Sequence, residues 1–243
     1  MDHLNDKIMK NLREDESLKN VTFIFDDCEI KANRCLLGAS CPYFESMLFG
    51  NTNEANQTRI VLKSTSRIAF EKVVEFIHRR EDIVSSLGSN DILELVKLAH
   101  EYQFDELLAF LEYAIVFDDY SVSFCVELFD TLEIIGSVDW KEECLLFLDS
   151  IFKIEANKRL FSSFSRTLVD QLTCRDSFLI KEVDLFYCLL EWKHESHDGL
   201  FSNLRLNLIT INEFNQIVKP TNVIKADDYL EALIKNTFAK RDL

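Results

Sequence analysis

The chain has 243 residues, 47% of them hydrophobic, which is enough for one large domain or two modest ones with a sizeable core. Its formal net charge of −15, with acidic residues spread along both halves, would repel a phosphate backbone and argues against nucleic acid as a partner. With only 2 Pro and 5 Gly, turns are few and a mostly helical protein is expected, while 20 Phe point to a core built from rings.

Leu4, Ile8 and Leu12, with Met9 beside them, recur at helical spacing and predict an amphipathic helix that stops before Asn20. The segment from Met1 to Leu12 is too polar for a signal peptide, and no apolar run approaches the ~18 residues of a membrane span. Val21–Phe25 reads as a strand, Asp26-Asp27 as a turn and Cys28–Ala32 as the return strand. After the small residues Gly38–Ser40, Pro42 suits a first helical turn. Tyr43, Phe44, Met47 and Leu48 then fall on one helical face, and Leu37, Phe44 and Leu48 are assigned to the core. A polar loop at Asn51–Thr58 leads to a third strand, Ile60–Leu62, giving a small sheet without crossovers.

Helical stripes follow: Phe70, Val73, Val74 and Ile77; then Ile92, Leu95, Val96 and Ala99, opened by Asp91 and Glu94 as a capping box; then Leu107, Leu108, Leu111 and Ile115, opened by Asp105 as a cap. Asp118-Asp119 is the best internal boundary. Beyond it, helices are expected at Val122–Phe129, Cys144–Ile151, Leu160–Leu172, Val183–Trp192, Ile211–Val218 and Ala226–Thr237, with short gaps and no flexible tether.

The seven cysteines are odd in number and form no C-x-x-C pair, so free, mostly buried thiols in a reducing intracellular compartment are expected. His194-x-x-His197 with Cys188 upstream lacks the four ligands of a tetrahedral zinc site, so no metal is assigned. No G-x-S-x-G, phosphate-binding glycine loop or H-E-x-x-H occurs. No catalytic residue and no cofactor is assigned, and the chain is expected not to be an enzyme.

The pattern Ile30-x-Ala32-Asn33-Arg34-x-Leu36-Leu37-x-Ala39-Ser40-x-x-Tyr43-Phe44, preceded by Val21-Thr22-Phe23, resembles the signature of the BTB/POZ family. Ala69-Phe70 through Phe76-Ile77, and Leu98-Ala99-His100-Glu101-Tyr102-Gln103-Phe104, are similar to later segments of the same family. In the second half, Leu172-x-x-x-Asp176-Ser177-Phe178, Glu182, Asp184-Leu185-Phe186, Trp192 and Arg205-Leu206-Asn207-Leu208 resemble a BACK domain, with Asn207 where that pattern has Pro. The resemblance implies an α+β, mostly helical protein: a BTB/POZ domain at 1–117, an all-α BACK domain at 118–219 and a helical extension at 220–243.

It also implies a function. Proteins of this kind commonly serve as homodimeric substrate adaptors of cullin-3 RING ubiquitin ligases. Partners would then be a second copy, cullin-3 and an unknown protein substrate, with no nucleic acid and no membrane. The expected location is intracellular, with the cytoplasm favoured over the nucleus. The family's apolar-x-Glu cullin motif aligns with Thr52-Asn53-Glu54, which keeps the acid and replaces the apolar anchor; His78 and Tyr102 complete the implied cullin-facing set. The implied dimer interface comprises Leu4, Ile8, Met9 and Leu12, with Asn20 and Arg34 near the twofold axis, where Asn20 stands in for the family's Asp. A dimeric scaffold that does not bind cullin is the alternative. Relatives of this kind continue into a discoidin-like domain, so the resemblance implies a fragment or a shortened relative.

Overall fold

The computed structural model describes residues 2–78, 83–154, 158–192 and 199–239. The chain divides into two compact units, Met1–Phe124 and Cys125–Leu243.

The first unit opens with helix α1 (Asp2–Glu14), whose apolar stripe is largely uncovered. Strands β1 (Val21–Ile24) and β2 (Glu29–Ala32) form an antiparallel hairpin in which Phe23 faces Ile30. Alternation along β1 buries Val21 and Phe23 on the core side, as a half-covered strand requires. Helices α2 (Arg34–Gly38) and α3 (Pro42–Phe49) then carry the chain across to β3 (Arg59–Val61). β3 pairs parallel with β1, giving the order β2-β1-β3. The sheet therefore contains a helical crossover, contrary to the sequence expectation. A three-residue strand carries no signal of its direction, and parallel pairing needs such a connection.

Helices α4 (Arg67–Ile77), α5 (Ser89–Glu101) and α6 (Asp105–Ala114) complete the unit. The stripes on α4 and α5 are buried, as are Leu107, Leu111 and Ile115; Leu108 is half-buried. Two expected caps are not used. α5 starts after Gly88, and Asp91 and Glu94 make no capping bond; α6 starts after Phe104, so Asp105 is already its first helical residue. Between these helices Gln103 adopts a left-handed conformation (φ 52°), which lets Phe104 turn back into the core while its N–H reaches Ala99 O. The centre of the unit is a ring cluster. Phe23 lies 4.7 Å from Phe70, Phe44 lies 6.0 Å from Phe70 and 5.2 Å from Tyr102, and Tyr43 stacks on Tyr102 at 4.0 Å. Leu37, Phe44 and Leu48 are buried, as the helical spacing implied.

Helix α7 (Val122–Ile135) begins within the last residues of the first unit and ends in the second at Gly136, whose φ of 81° suits a C-terminal cap, and α8 (Val138–Ile154) follows. The single helix expected at Leu160–Leu172 is two: α9 (Lys158–Phe161) and α10 (Arg166–Thr173). Ser165 breaks it. Its backbone is extended, its hydroxyl accepts the Leu168 N–H and donates to Asp130, and α10 restarts from that cap. Helix α11 (Glu182–Glu191) follows. The Thr210–Glu213 capping box then opens α12 (Ile211–Glu213), which passes into a π-helical turn at Phe214–Val218; α13 (Ala226–Ala239) comes last. Phe152, Phe161, Phe164 and Phe178 pack ring against ring, and the buried Trp192 indole donates to Phe164 O at 3.1 Å.

Candidate partner-binding loop

The loop that follows α3 is fixed by one side chain from α2. Arg34 donates from Nη1 to Gln57 O at 2.7 Å, and from Nη2 to Leu48 O at 2.7 Å, to Glu54 O at 3.4 Å and to Ala55 O. One planar guanidinium thus gathers four carbonyls from residues 48–57. The base of this clamp is itself fastened. The Arg34 backbone N–H donates to Asn20 Oδ1 at 2.8 Å. Asn33, the cap of α2, accepts the Leu36 N–H at 2.9 Å and donates to Leu18 O at 2.9 Å.

Two further devices shape the loop. Thr52 Oγ1 donates to Met47 O at 2.7 Å and accepts the Ala55 N–H at 3.2 Å, so the hydroxyl closes the turn between α3 and the short 3-10 segment Glu54–Asn56. Gly50 ends α3 by donating to Ser46 O at 3.0 Å; a methyl group there would overlap that same carbonyl. Phe49 is the large apolar side chain that this segment leaves outside, 54% exposed. Its ring lies against Gly38, where a Cβ would overlap it, and the Arg34 guanidinium sits 5.6 Å from the ring centroid. Together Arg34, Leu48, Phe49, residues 50–53, Ala55 and Asn56 border a shallow polar concavity; Asn53 is exposed there, while Glu54, half-buried, lies outside its lining.

The residues expected at a cullin-facing surface separate into two groups. Thr52, Asn53 and Glu54 lie together on this loop. His78 and Tyr102 are core side chains, 5% and 0% exposed, so neither offers a partner a surface contact. Tyr102 is covered by Tyr43 and Phe44, and burial pushes its phenol far above the ordinary tyrosine range. Burial, and then the negative charges of Glu101 and Glu54, also raise Tyr43. Arg79 and Arg80, which follow His78 in the sequence, lie outside the described residues.

The expected dimer residues separate too. On α1, Leu4 and Ile8 are exposed and Met9 and Leu12 half-buried, a stripe open to a partner. Arg34 is not a free charge awaiting an acid, because its guanidinium is spent on the 48–57 loop. Asn20 does serve Arg34, through the backbone N–H rather than the guanidinium. Sequence reasoning missed Phe49 as an exposed group; the small residue at Gly38 was the one local hint, because it leaves room for a ring.

In the second unit the distinctive residues hold the fold. Ser177 and Arg175 both donate to Asp149, at 2.6 and 3.0 Å, and Arg175 also pairs with Glu142. Glu182 pairs with Arg205, and Phe178 and Trp192 are buried. His194 and His197 lie outside the described residues, and no three His, Cys, Asp or Glu side chains among the described residues are grouped to hold a metal ion. No described helix is long and apolar enough to cross a membrane.

The BTB/POZ domain family model matches residues 9–118. The chain is 28% identical over 241 residues to human BTB/POZ domain-containing protein 9, covering 94% of this chain and 38% of that protein. It is 23% identical to the Drosophila melanogaster protein of the same name, covering 96% of this chain and 32% of that one. The chain thus spans less than two fifths of the length of these relatives. The solved BTB domain of human gigaxonin is 18% identical, with a TM-score of 0.39, covering 46% of this chain and 92% of that one. Residues 9–118 thus match the BTB/POZ domain, a protein–protein interaction module.

Proposed function

We propose that the chain is a non-catalytic adaptor that dimerises through α1 and presents the 49–56 loop to cullin-3, with a helical second half (118–219 as a BACK domain, 220–243 as an extension) contributing to the wider assembly. The observation that carries this reading is the loop itself: a surface segment tied into one shape by Arg34 and Thr52, displaying Phe49 and Asn53, with Glu54 half-buried beside them. Thr52 spends its hydroxyl inside the loop, so Phe49 is the residue available to supply the apolar contact that the family's motif places at position 52. An adaptor of this kind performs no chemistry; it raises the local concentration of a target protein near the ligase machinery. The location that follows is intracellular.

A cullin-3 N-terminal fragment titrated against the 243-residue chain tests it. Binding at micromolar concentration that weakens when Glu54 is changed to Lys supports the reading; no binding at tens of micromolar removes it. A second reading, a dimeric scaffold without a cullin partner, draws support from Thr52 as a polar replacement in that motif. It predicts a stable dimer and no cullin contact.

A further inference from the structure

We propose that Arg34 is the positioning residue of the partner-binding loop, holding residues 48–57 in the shape that a partner meets, and that this role replaces any charge pairing at a twofold axis. The inference rests on the loop being the partner site. Leu48, Glu54, Ala55 and Gln57 all turn a carbonyl toward one cation. Four such dipoles pointed inward repel one another unless a charge sits among them, and a planar fork of N–H donors suits the arrangement as a single ammonium does not. The acceptors lie 14 to 23 residues from Arg34, so the clamp joins α2 to the far end of the loop. It acts at the backbone, which leaves the side chains of Phe49 and Asn53 exposed. A loop fixed before binding loses little further conformational freedom when its partner arrives.

The clamp also ties this loop to the chain segment that follows α1. Leu18 and Asn20 are held by Asn33 and by the backbone of Arg34, while the Arg34 side chain holds the loop. The residue therefore stands at the crossing of two segments.

The test uses the full chain with Arg34→Met, which keeps the length and apolar stem, and Arg34→Lys, which keeps the charge. Amide exchange is followed at Gly50–Gln57 and, as an internal control, in β1 and α4. Binding of the cullin-3 N-terminal fragment and the sedimentation behaviour of the chain are measured alongside. Exchange in the loop is expected to rise by about tenfold or more in Arg34→Met, with β1 and α4 unchanged, and affinity to fall by about tenfold as ordering is deferred to the bound state. Arg34→Lys should recover part of both, and sedimentation should not change. Wild-type exchange in the loop of Arg34→Met overturns the proposal. So does a loosened loop that binds cullin-3 as well as the wild type, or a loss of dimer as the main effect. If Arg34→Met fails to fold, the same readings on Arg34→Lys decide. If the wild type binds no cullin-3, the adaptor reading fails on its own, and loop exchange still decides whether Arg34 holds the loop.

Discussion

Half-buried Arg205 pairs with buried Glu182 in the second unit: the Arg205 backbone N–H donates to Glu182 Oε2 at 3.0 Å and its Nε to Oε1, and the carboxylate side chain is only 2% exposed. Arg205 Nη2 also donates to Phe178 O at 2.9 Å, so one guanidinium fastens the chain before α11 as well as α11 itself. Arg205→Met leaves the carboxylate buried without its cation and should cost roughly 3–5 kcal/mol. Glu182→Met combined with Arg205→Met should recover much of that loss, because no unpaired charge remains. Urea denaturation of the three chains checks both statements; equal stability of single and double variants would refute the coupling.

Gly50 and Gly38 make opposite demands. A Cβ on Gly50 meets the Ser46 backbone carbonyl at the end of α3, which cannot swing aside, whereas a Cβ on Gly38 meets the Phe49 ring, which can. Gly50→Ala should therefore destabilise by about 1–3 kcal/mol and Gly38→Ala by less than about 1 kcal/mol. Thermal melts of the two variants order them.

Phe49→Ala separates stability from recognition. The ring is more than half exposed, so its removal should change stability by no more than about 1 kcal/mol. An aromatic anchor at an interface is worth far more, and cullin-3 affinity should fall by roughly 10- to 100-fold. Calorimetric titration of a variant with a wild-type melting profile provides the measurement; unchanged affinity assigns Phe49 no role.

The stripe on α1 makes a prediction about assembly. Leu4 and Ile8 are exposed, so Leu4→Glu with Ile8→Glu leaves the internal packing of the unit intact, while opposing a second copy with buried charge. A wild-type dimer should dissociate to single chains in this variant at about the same melting temperature, as read by sedimentation. A variant that remains a dimer would move the interface elsewhere.

Acid sensitivity should be traceable to Glu142 and Glu133. Hydrogen bonding to Arg175 holds Glu142 below the usual carboxylate range, and Lys141 does the same for Glu133. A carboxyl whose folded pKa is depressed contributes stability above its unfolded value, near 4.3, and loses it as pH falls through the folded value. Both carboxylates are partly solvated, so each contribution is small, a few tenths of a kcal/mol. The stability gap between wild type and Glu142→Gln, present at neutral pH, should close as the pH falls through the depressed folded value. A gap independent of pH would contradict the assignment.

The sequence by itself determined the order of the elements, because apolar spacing is a local quantity. Val21 and Phe23 alternate as a strand must, the stripes at Phe70–Ile77 and Ile92–Ala99 repeat as helices must, and both patterns survive whatever packs against them. The same locality explains the misses at helix ends. Asp91 and Asp105 look like caps, but the preceding residues Gly88 and Phe104 already occupy the cap positions, and Ser165 cuts an otherwise continuous stripe by engaging Asp130, 35 residues away. Only the tertiary structure decided what the site residues do. Whether Arg34 reaches a partner's acid or its own loop, whether Tyr102 is surface or core, and whether Phe49 points inward depend on groups distant in sequence that folding brings within a few ångströms. Hydrogen bonds and burial act at that short range, and no spacing along the chain encodes it.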